Sequence, residues 1–80
     1  MSHTPHELLE EFPQQAEQIT ALRQSDAHFD NLADRYHTVN RAIHRAETDV
    51  EPTSDDNMIK MRRERMVLKD EIYAYLRENA

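Results

Sequence analysis

A long heptad pattern between Phe29 and Val50 most constrains how this chain can fold. Its apolar residues recur at alternating intervals of three and four positions, as at the a and d positions of a coiled coil: Phe29, Leu32, Tyr36, Val39, Ile43, Ala46 and Val50. An apolar stripe this long is stable only when it packs against another helix. The pattern therefore predicts a helix over residues 27–50 and a partner helix elsewhere in the chain.

The second half of the chain supplies that partner. Residues 51–54 predict a loop, because Pro52 cannot continue the first helix and Thr53 or Ser54 can cap the next one. A second helix is predicted over residues 55–79, with a seam made by Met58, Met61, Leu68, Ile72 and Tyr75. A loop this short joins antiparallel neighbours. The predicted core is therefore an antiparallel, coiled-coil-like two-helix hairpin over residues 26–80.

Residues 1–25 are predicted to form a short N-terminal helical arm in front of the hairpin. Thr4 and Pro5 are a typical helix start, with Pro5 at the first helical position. Pro13 predicts a break, and Ser25-Asp26 predicts a second one at the start of the long helix. A continuous helix through Ser25 is the alternative at that point. A further alternative is that this arm orders only when a partner binds.

The composition supports an all-α protein and excludes several kinds of chemistry. The chain has 80 residues and contains no glycine, so Gly-rich phosphate loops and glycine hairpin turns are excluded. It has no cysteine, which excludes disulfides and thiolate chemistry. No apolar run approaches the ~18 residues of a membrane span, and no secretory leader is recognisable. We expect a cytoplasmic protein that contacts no membrane.

A second apolar stripe lies beside the seam of the second long helix. It consists of Ile59, Met66, Tyr73 and Leu76. Since the first helix needs only one of the two faces, the second must be covered by the N-terminal arm, by a second hairpin or by another protein, and we expect a second copy in a homodimer or another protein partner. Arg65 falls at a seam position, where an arginine is costly unless it is paired. Either a carboxylate at an interface, such as Glu64 or Asp70 of a neighbouring chain, pairs with Arg65, or its guanidinium reaches water.

A basic stretch on the same helix gives a weaker indication of phosphate contacts. The weak candidates for phosphate contacts are Lys60, Arg62, Arg63 and Lys69, and Arg65 lies in the same stretch. The formal net charge of −6 argues against nucleic-acid binding. We favour the alternative that these cations pair with acids of their own helix or with Asp30, Asp34 and Glu47 of the first long helix.

The histidines and acids do not form a recognisable metal or catalytic site. His37 and His44 are seven residues apart, about 10 Å along a helix, which is too far for one metal ion. We interpret the histidines as solvated surface residues. No nucleophile has a histidine base and an orienting acid beside it in the sequence, and a two-helix hairpin has no enclosed pocket. We therefore expect no enzyme activity, no metal, no cofactor and no small-molecule substrate.

Several short motifs resemble the YdcH-like family of small bacterial coiled-coil proteins, whose domain has no known function. They are Phe12-Pro13, the pattern Phe29…Leu32…Tyr36, Ile43…Arg45…Glu47, and Met61-Arg62…Arg65…Leu68-Lys69-Asp70-Glu71-Ile72-Tyr73. The resemblance covers roughly residues 12–77. It implies a cytoplasmic helical hairpin from a bacterium and brings no activity or catalytic residue. The sequence thus predicts a non-enzymatic helical hairpin that self-associates or binds another protein, with nucleic-acid association through residues 60–69 as the alternative.

Overall fold

A computed structural model of the chain describes residues 4–48 and 53–79. Within those two ranges it contains four α-helices and no strand: α1 (Leu8–Glu11), α2 (Ala16–Ser25), α3 (Ala27–Glu47) and α4 (Asp55–Glu78). A short 3₁₀ helix, Pro13–Gln15, joins α1 to α2. The predicted all-α class is confirmed.

The long helix α3 starts at the predicted capping position. The Asp26 carboxylate accepts hydrogen bonds from the backbone N–H groups of His28 and Phe29, which have no partners inside the helix. This cap separates α2 from α3, so the alternative of a continuous helix through Ser25 is wrong. The helix ends at Glu47, three residues before the predicted end at Val50. Val50 and residues 51–52 of the predicted loop lie outside the described residues.

The second long helix follows its prediction closely. Of the two predicted caps, Ser54 is used: its hydroxyl accepts a hydrogen bond of 3.1 Å from the backbone N–H of Asn57. Asp55 and Asp56 occupy the first turn, where their negative charges interact favourably with the positive end of the helix dipole. The helix runs to Glu78, one residue short of the predicted end.

The arm departs from its prediction at the start. The first helix begins at Leu8, with Glu7 at the N-cap position, and not at Thr4-Pro5. His6 has φ 64°, in the left-handed region that a non-glycine residue adopts at a small energetic cost. Two long-range hydrogen bonds attach this backbone to α3: the Tyr36 hydroxyl donates to the His6 carbonyl, and the Asn40 amide donates to the Pro5 carbonyl. The break predicted at Phe12-Pro13 is present, because α1 stops at Glu11.

One hydrophobic core joins the arm to both long helices. The seam residues of α3 from Phe29 to Ala46 are buried, and so are Leu68 and Ile72 of α4. Met58, Met61 and Tyr75 are partly buried against the same cluster. Contacts between the long helices join Glu47 to Arg62, Asn40 to Arg65 and the Phe29 ring to the Tyr75 ring. The arm adds three further apolar side chains to this core, those of Leu8, Phe12 and Ile19.

Candidate interaction surface

Three apolar side chains of α4 point away from the core and form what we call the exposed stripe. Ile59, Met66 and Tyr73 are 54 %, 58 % and 52 % exposed. Residues seven apart lie almost on one line along a helix, about 10 Å from each other. The stripe therefore extends along about four turns of α4 as a narrow apolar surface, as the sequence predicted for these three residues.

Leu76, the fourth residue of the predicted face, belongs to the core instead. Its side chain is only 3 % exposed and lies in the same cluster as Ile19. Three residues after Tyr73, its side chain is turned by about 60° from that of Tyr73, toward the other elements. The Gln18 side chain of α2 also donates to the Leu76 carbonyl. Coverage by the arm, one of the alternatives for this face, is therefore present at this end of α4.

Tyr73 stands at the border between the exposed stripe and the arm. Its ring stacks on that of Phe12, with the centroids 6.2 Å apart and the planes 13° from parallel. On the same ring, the Arg77 guanidinium lies 5.8 Å from the centroid. These two contacts hold the Tyr73 ring in place while half of its surface stays exposed, so the stripe ends on an ordered aromatic residue.

Arg65 does not lie on the exposed stripe, and within its own chain its hydrogen-bond partner is a side-chain amide. It is half-buried, and its guanidinium donates a 2.9 Å hydrogen bond to the side-chain carbonyl of Asn40. Asn40 is only 1 % exposed, and its amide donates a 2.8 Å hydrogen bond to the Pro5 carbonyl. Arg65 therefore has one partner inside its own chain, an amide of α3, and its pairing with a carboxylate of a neighbouring chain stays a prediction.

Asn40 was not among the predicted site residues, although its position contained a usable signal. Asn40 comes four residues after Tyr36 and three before Ile43, so it lies on the buried side of α3. A buried side-chain amide needs hydrogen-bond partners for its N–H groups and for its oxygen. Here Arg65 donates to the Asn40 oxygen, and the Pro5 carbonyl accepts from the Asn40 N–H. Because the Pro5 partner is 35 residues away in sequence, no local pattern could have identified it.

Two glutamates of the arm, which the sequence analysis also overlooked, pair with basic side chains of the long helices. Glu7 lies 2.6 Å from His37 Nδ1 and 3.7 Å from the Arg41 guanidinium. Glu11 lies 3.1 Å from His6 Nδ1 and 3.3 Å from the Lys69 ammonium. Burial acts to raise the pKa of Glu11, but the hydrogen bonds from His6 and Lys69 outweigh it and lower that pKa overall. His37 is thus a half-buried partner of the arm, and not the solvated histidine that we expected.

The basic stretch of α4 is divided between paired and unpaired cations. Arg62 pairs with Glu47 at 3.1 Å, as expected, and Lys69 pairs with Glu11. Lys60 and Arg63 are exposed, and no ion pair among the described residues includes them.

Asp30 and Asp34, which we expected to face the α4 cations, instead bind Arg23 of α2. The hydrogen bond from Arg23 to Asp30 is the main reason that the Arg23 pKa is raised. This pair fixes α2 against α3 and leaves the two aspartates unavailable to α4.

Several clefts between the described residues are open grooves. One of about 670 Å³ is polar and runs along α3, where it is lined by Arg23, Asp34, His37, Thr38, Arg41 and Arg45. In this groove, Arg23 pairs with Asp30 and Asp34, and Arg41 pairs with Glu7. Within residues 4–48 and 53–79, no group of three or more histidine or acidic side chains is placed to hold a metal ion.

These features define a small all-helical protein with two long helices packed on each other and a short arm packed against both. The family described as "Protein of unknown function (DUF465)" matches residues 29–76, more than half of the chain. The protein belongs to this family, which is the YdcH-like family of small bacterial domains, so the resemblance found in the sequence is confirmed. The matched segment is shorter than the resemblance and leaves the arm outside. No curated protein and no solved structure gave a significant match.

A membrane span requires a helix of about 20 predominantly apolar residues. Among the described residues, no helix is both long enough and apolar enough to cross a bilayer.

Proposed function

We propose that this protein is a non-enzymatic helical hairpin that self-associates through the exposed stripe on α4. The observation that carries the proposal is the exposure of Ile59, Met66 and Tyr73 at heptad spacing on a helix whose opposite side is already buried. A regular apolar stripe on a helix of a small domain is typical of a helix–helix interface. The partner that we propose is a second copy of the chain, which gives a homodimer.

The hairpin in this proposal is the antiparallel, coiled-coil-like arrangement of α3 and α4. The order of the contacts supports it, since Glu47 near the end of α3 meets Arg62 early in α4, and Phe29 near its start meets Tyr75 near the end of α4. Membership of a family of small bacterial domains supports a cytoplasmic role in a bacterium. The absence of enzyme activity stays part of the proposal and is supported by the open, charge-paired character of the grooves described above.

A pair of neighbouring substitutions tests the interface. Met66→Asp places a charge in the middle of the stripe, whereas Val67→Asp places the same charge on an exposed apolar residue of α4 that is 47 % exposed and turned by about 100°. Sedimentation velocity should show that Met66→Asp abolishes association and that Val67→Asp retains it, with unchanged helical circular dichroism in both. Equal behaviour of the two variants would contradict the proposed interface.

Nucleic-acid association through residues 60–69 remains a second proposal with less support. Lys60 and Arg63 are its available cations, because Arg62 and Lys69 already bind carboxylates. Two phosphate contacts give weak binding with a shallow dependence on salt. A mobility-shift assay with duplex DNA and RNA at ~50 mM salt tests it, and the absence of any shift would exclude this function.

A further inference from the structure

A second heptad pattern, made of charged residues, runs beside the exposed stripe of α4. Asp56, Arg63, Asp70 and Arg77 follow one another at intervals of seven and alternate in sign. All four are exposed, and no ion pair among the described residues includes them. Charges seven residues apart are about 10 Å from each other along a helix, so these residues cannot pair within α4. We call this row the charged flank.

The charged flank lies along one side of the stripe. With about 100° of rotation per residue, Arg63 and Asp70 are turned from Met66 by about 60° and 40° in the same direction. Asp56 and Arg77 are turned in that direction as well, by about 80° and 20°. In a coiled coil with Met66 at a core position, all four would occupy the equivalent flanking position of successive heptads. Residues in that position contact the partner helix at the border of the apolar interface.

We propose that α4 pairs with α4 of a second copy in antiparallel orientation, so that Arg63 faces the second copy's Asp70 and Asp56 faces its Arg77. This inference rests on the proposed self-association and specifies its geometry. Residues 63 and 70 have the same midpoint as residues 56 and 77, so one twofold axis creates both contacts. Each contact occurs twice, which gives four ion pairs. The same axis brings Met66 next to its own copy and Ile59 next to Tyr73.

The opposite orientation does not form these ion pairs. In a parallel pair, the charged flank faces the other border of the second helix, where Arg62 and Lys69 lie, so Arg63 does not meet the second copy's Asp70. In the antiparallel pair, the other border brings Arg62 near the second copy's Lys69. That contact is tolerated because Glu47 and Glu11 already neutralise these two cations within each chain.

Charge reversal tests the pairing. Arg63→Asp and Asp70→Arg each turn two attractive contacts into repulsive ones, so each variant should dimerise roughly tenfold more weakly than the unmodified protein. Lys60→Asp is the matched control, because it changes the net charge as Arg63→Asp does at an exposed position of α4 outside the flank. The control should dimerise like the unmodified protein, and sedimentation equilibrium at low salt measures all three.

Mixing the two variants, or combining both changes in one chain, tests the pairing more sharply. In a mixture of Arg63→Asp and Asp70→Arg chains, every flank contact of a mixed dimer is again between opposite charges. The mixture should therefore form heterodimers with about the affinity of the unmodified protein, and the double variant Arg63→Asp/Asp70→Arg should recover homodimers. A mixture that associates no better than its two components would overturn the pairing.

The orientation is tested by cysteine cross-linking, for which the cysteine-free chain provides a clean background. In the antiparallel pair, residue 56 lies beside the second copy's residue 77 and roughly 30 Å from the second copy's residue 56. Asp56→Cys chains mixed with Arg77→Cys chains should form a mixed disulfide under mild oxidation, and Asp56→Cys alone should form none. Efficient cross-linking of Asp56→Cys to itself would show a parallel pair and overturn the inference.

The same experiments separate this inference from the function on which it rests. A monomer at every concentration would contradict both. A dimer that Met66→Asp disrupts, but that charge reversal on the flank leaves unchanged, would keep the proposed function and overturn only the antiparallel pairing.

Discussion

Asn40 connects three parts of the chain at the scale of a single residue. Its side chain accepts a hydrogen bond from Arg65 of α4 and donates one to Pro5 of the arm, while its own backbone belongs to α3. A buried amide with both partners in place contributes to stability mainly because removing it leaves other buried polar groups unsatisfied. Asn40 therefore defines how the arm and α4 are positioned on α3.

Replacement of Asn40 should destabilise the protein far more than replacement of another asparagine of the same helix. Asn40→Ala leaves the Arg65 guanidinium and the Pro5 carbonyl without this partner, and we expect a loss of about 1–3 kcal/mol in the free energy of unfolding. Asn31→Ala is the matched control, because Asn31 is exposed on α3 and the change in helix propensity is the same. Urea denaturation measures both, and equal effects would contradict this role of Asn40.

Tyr36 makes the stability of the fold decrease at alkaline pH. The ring is fully buried, its hydroxyl donates to the His6 carbonyl, and burial raises the pKa of Tyr36 to about 12. Since this value exceeds the ~10 of an unfolded chain, the stabilisation is complete below about pH 10 and is lost as the pH rises toward 12. We expect the free energy of unfolding to fall by about 2 kcal/mol across that window.

Tyr36→Phe provides the control for this pH dependence. The variant lacks the hydrogen bond to His6 at every pH, but its ring cannot ionise. Its stability should be lower at neutral pH and should decline less between pH 10 and pH 12 than that of the unmodified protein. Identical declines in urea-denaturation series of the two proteins would show that another group is responsible.

At the scale of elements, the arm contributes three side chains to the core. Leu8, Phe12 and Ile19 lie in the same buried cluster as Tyr36 and Ile72. Salt bridges from Glu7 to His37 and from Glu11 to Lys69 fix the border of this contact. We predicted separate units for residues 1–25 and 26–80, and that division can be tested by asking whether they unfold together.

Two adjacent leucines of α1 provide that test. Leu8 is 1 % exposed and Leu9 is 54 % exposed, so Leu8→Ala removes core packing and Leu9→Ala removes little. If the arm and the two long helices unfold as one unit, Leu8→Ala should lower the stability of the whole protein by about 2–4 kcal/mol, and Leu9→Ala by less than about 1 kcal/mol. Unfolding of α3 and α4 monitored by hydrogen exchange should follow the same order. An unchanged exchange rate of α3 amides in Leu8→Ala would show that the arm is a separate unit.

Features that depend on neighbouring residues could be predicted from the sequence. The heptad of α3, the caps at Asp26 and Ser54, and the break at Pro13 each follow from a few adjacent residues and were confirmed. Which of the alternatives covers the second face of α4 could not be decided from the sequence, because the position of the arm depends on contacts such as Gln18 with Leu76, which are 58 residues apart. For the same reason, Leu76 was predicted on the exposed face, and Asp30 and Asp34 were predicted to pair with cations of α4 and not with Arg23.

At the scale of the whole molecule, the chain buries one face of α4 and leaves the other apolar. An 80-residue chain with a narrow core has limited stability on its own, and association is a common way to increase it. The segment that matches the family, residues 29–76, contains the whole exposed stripe, whereas the arm lies outside that segment. We therefore expect relatives without this arm to associate through the same side of α4.

The absolute mass in solution tests the central claim of self-association most directly. Light scattering across a concentration series at neutral pH should give a mass that rises from that of one 9.5 kDa chain to twice that value and then reaches a plateau. A plateau at two chains would support the homodimer through Ile59, Met66 and Tyr73. A mass of one chain at every concentration up to about 1 mM, where even weak specific association is detectable, would contradict it.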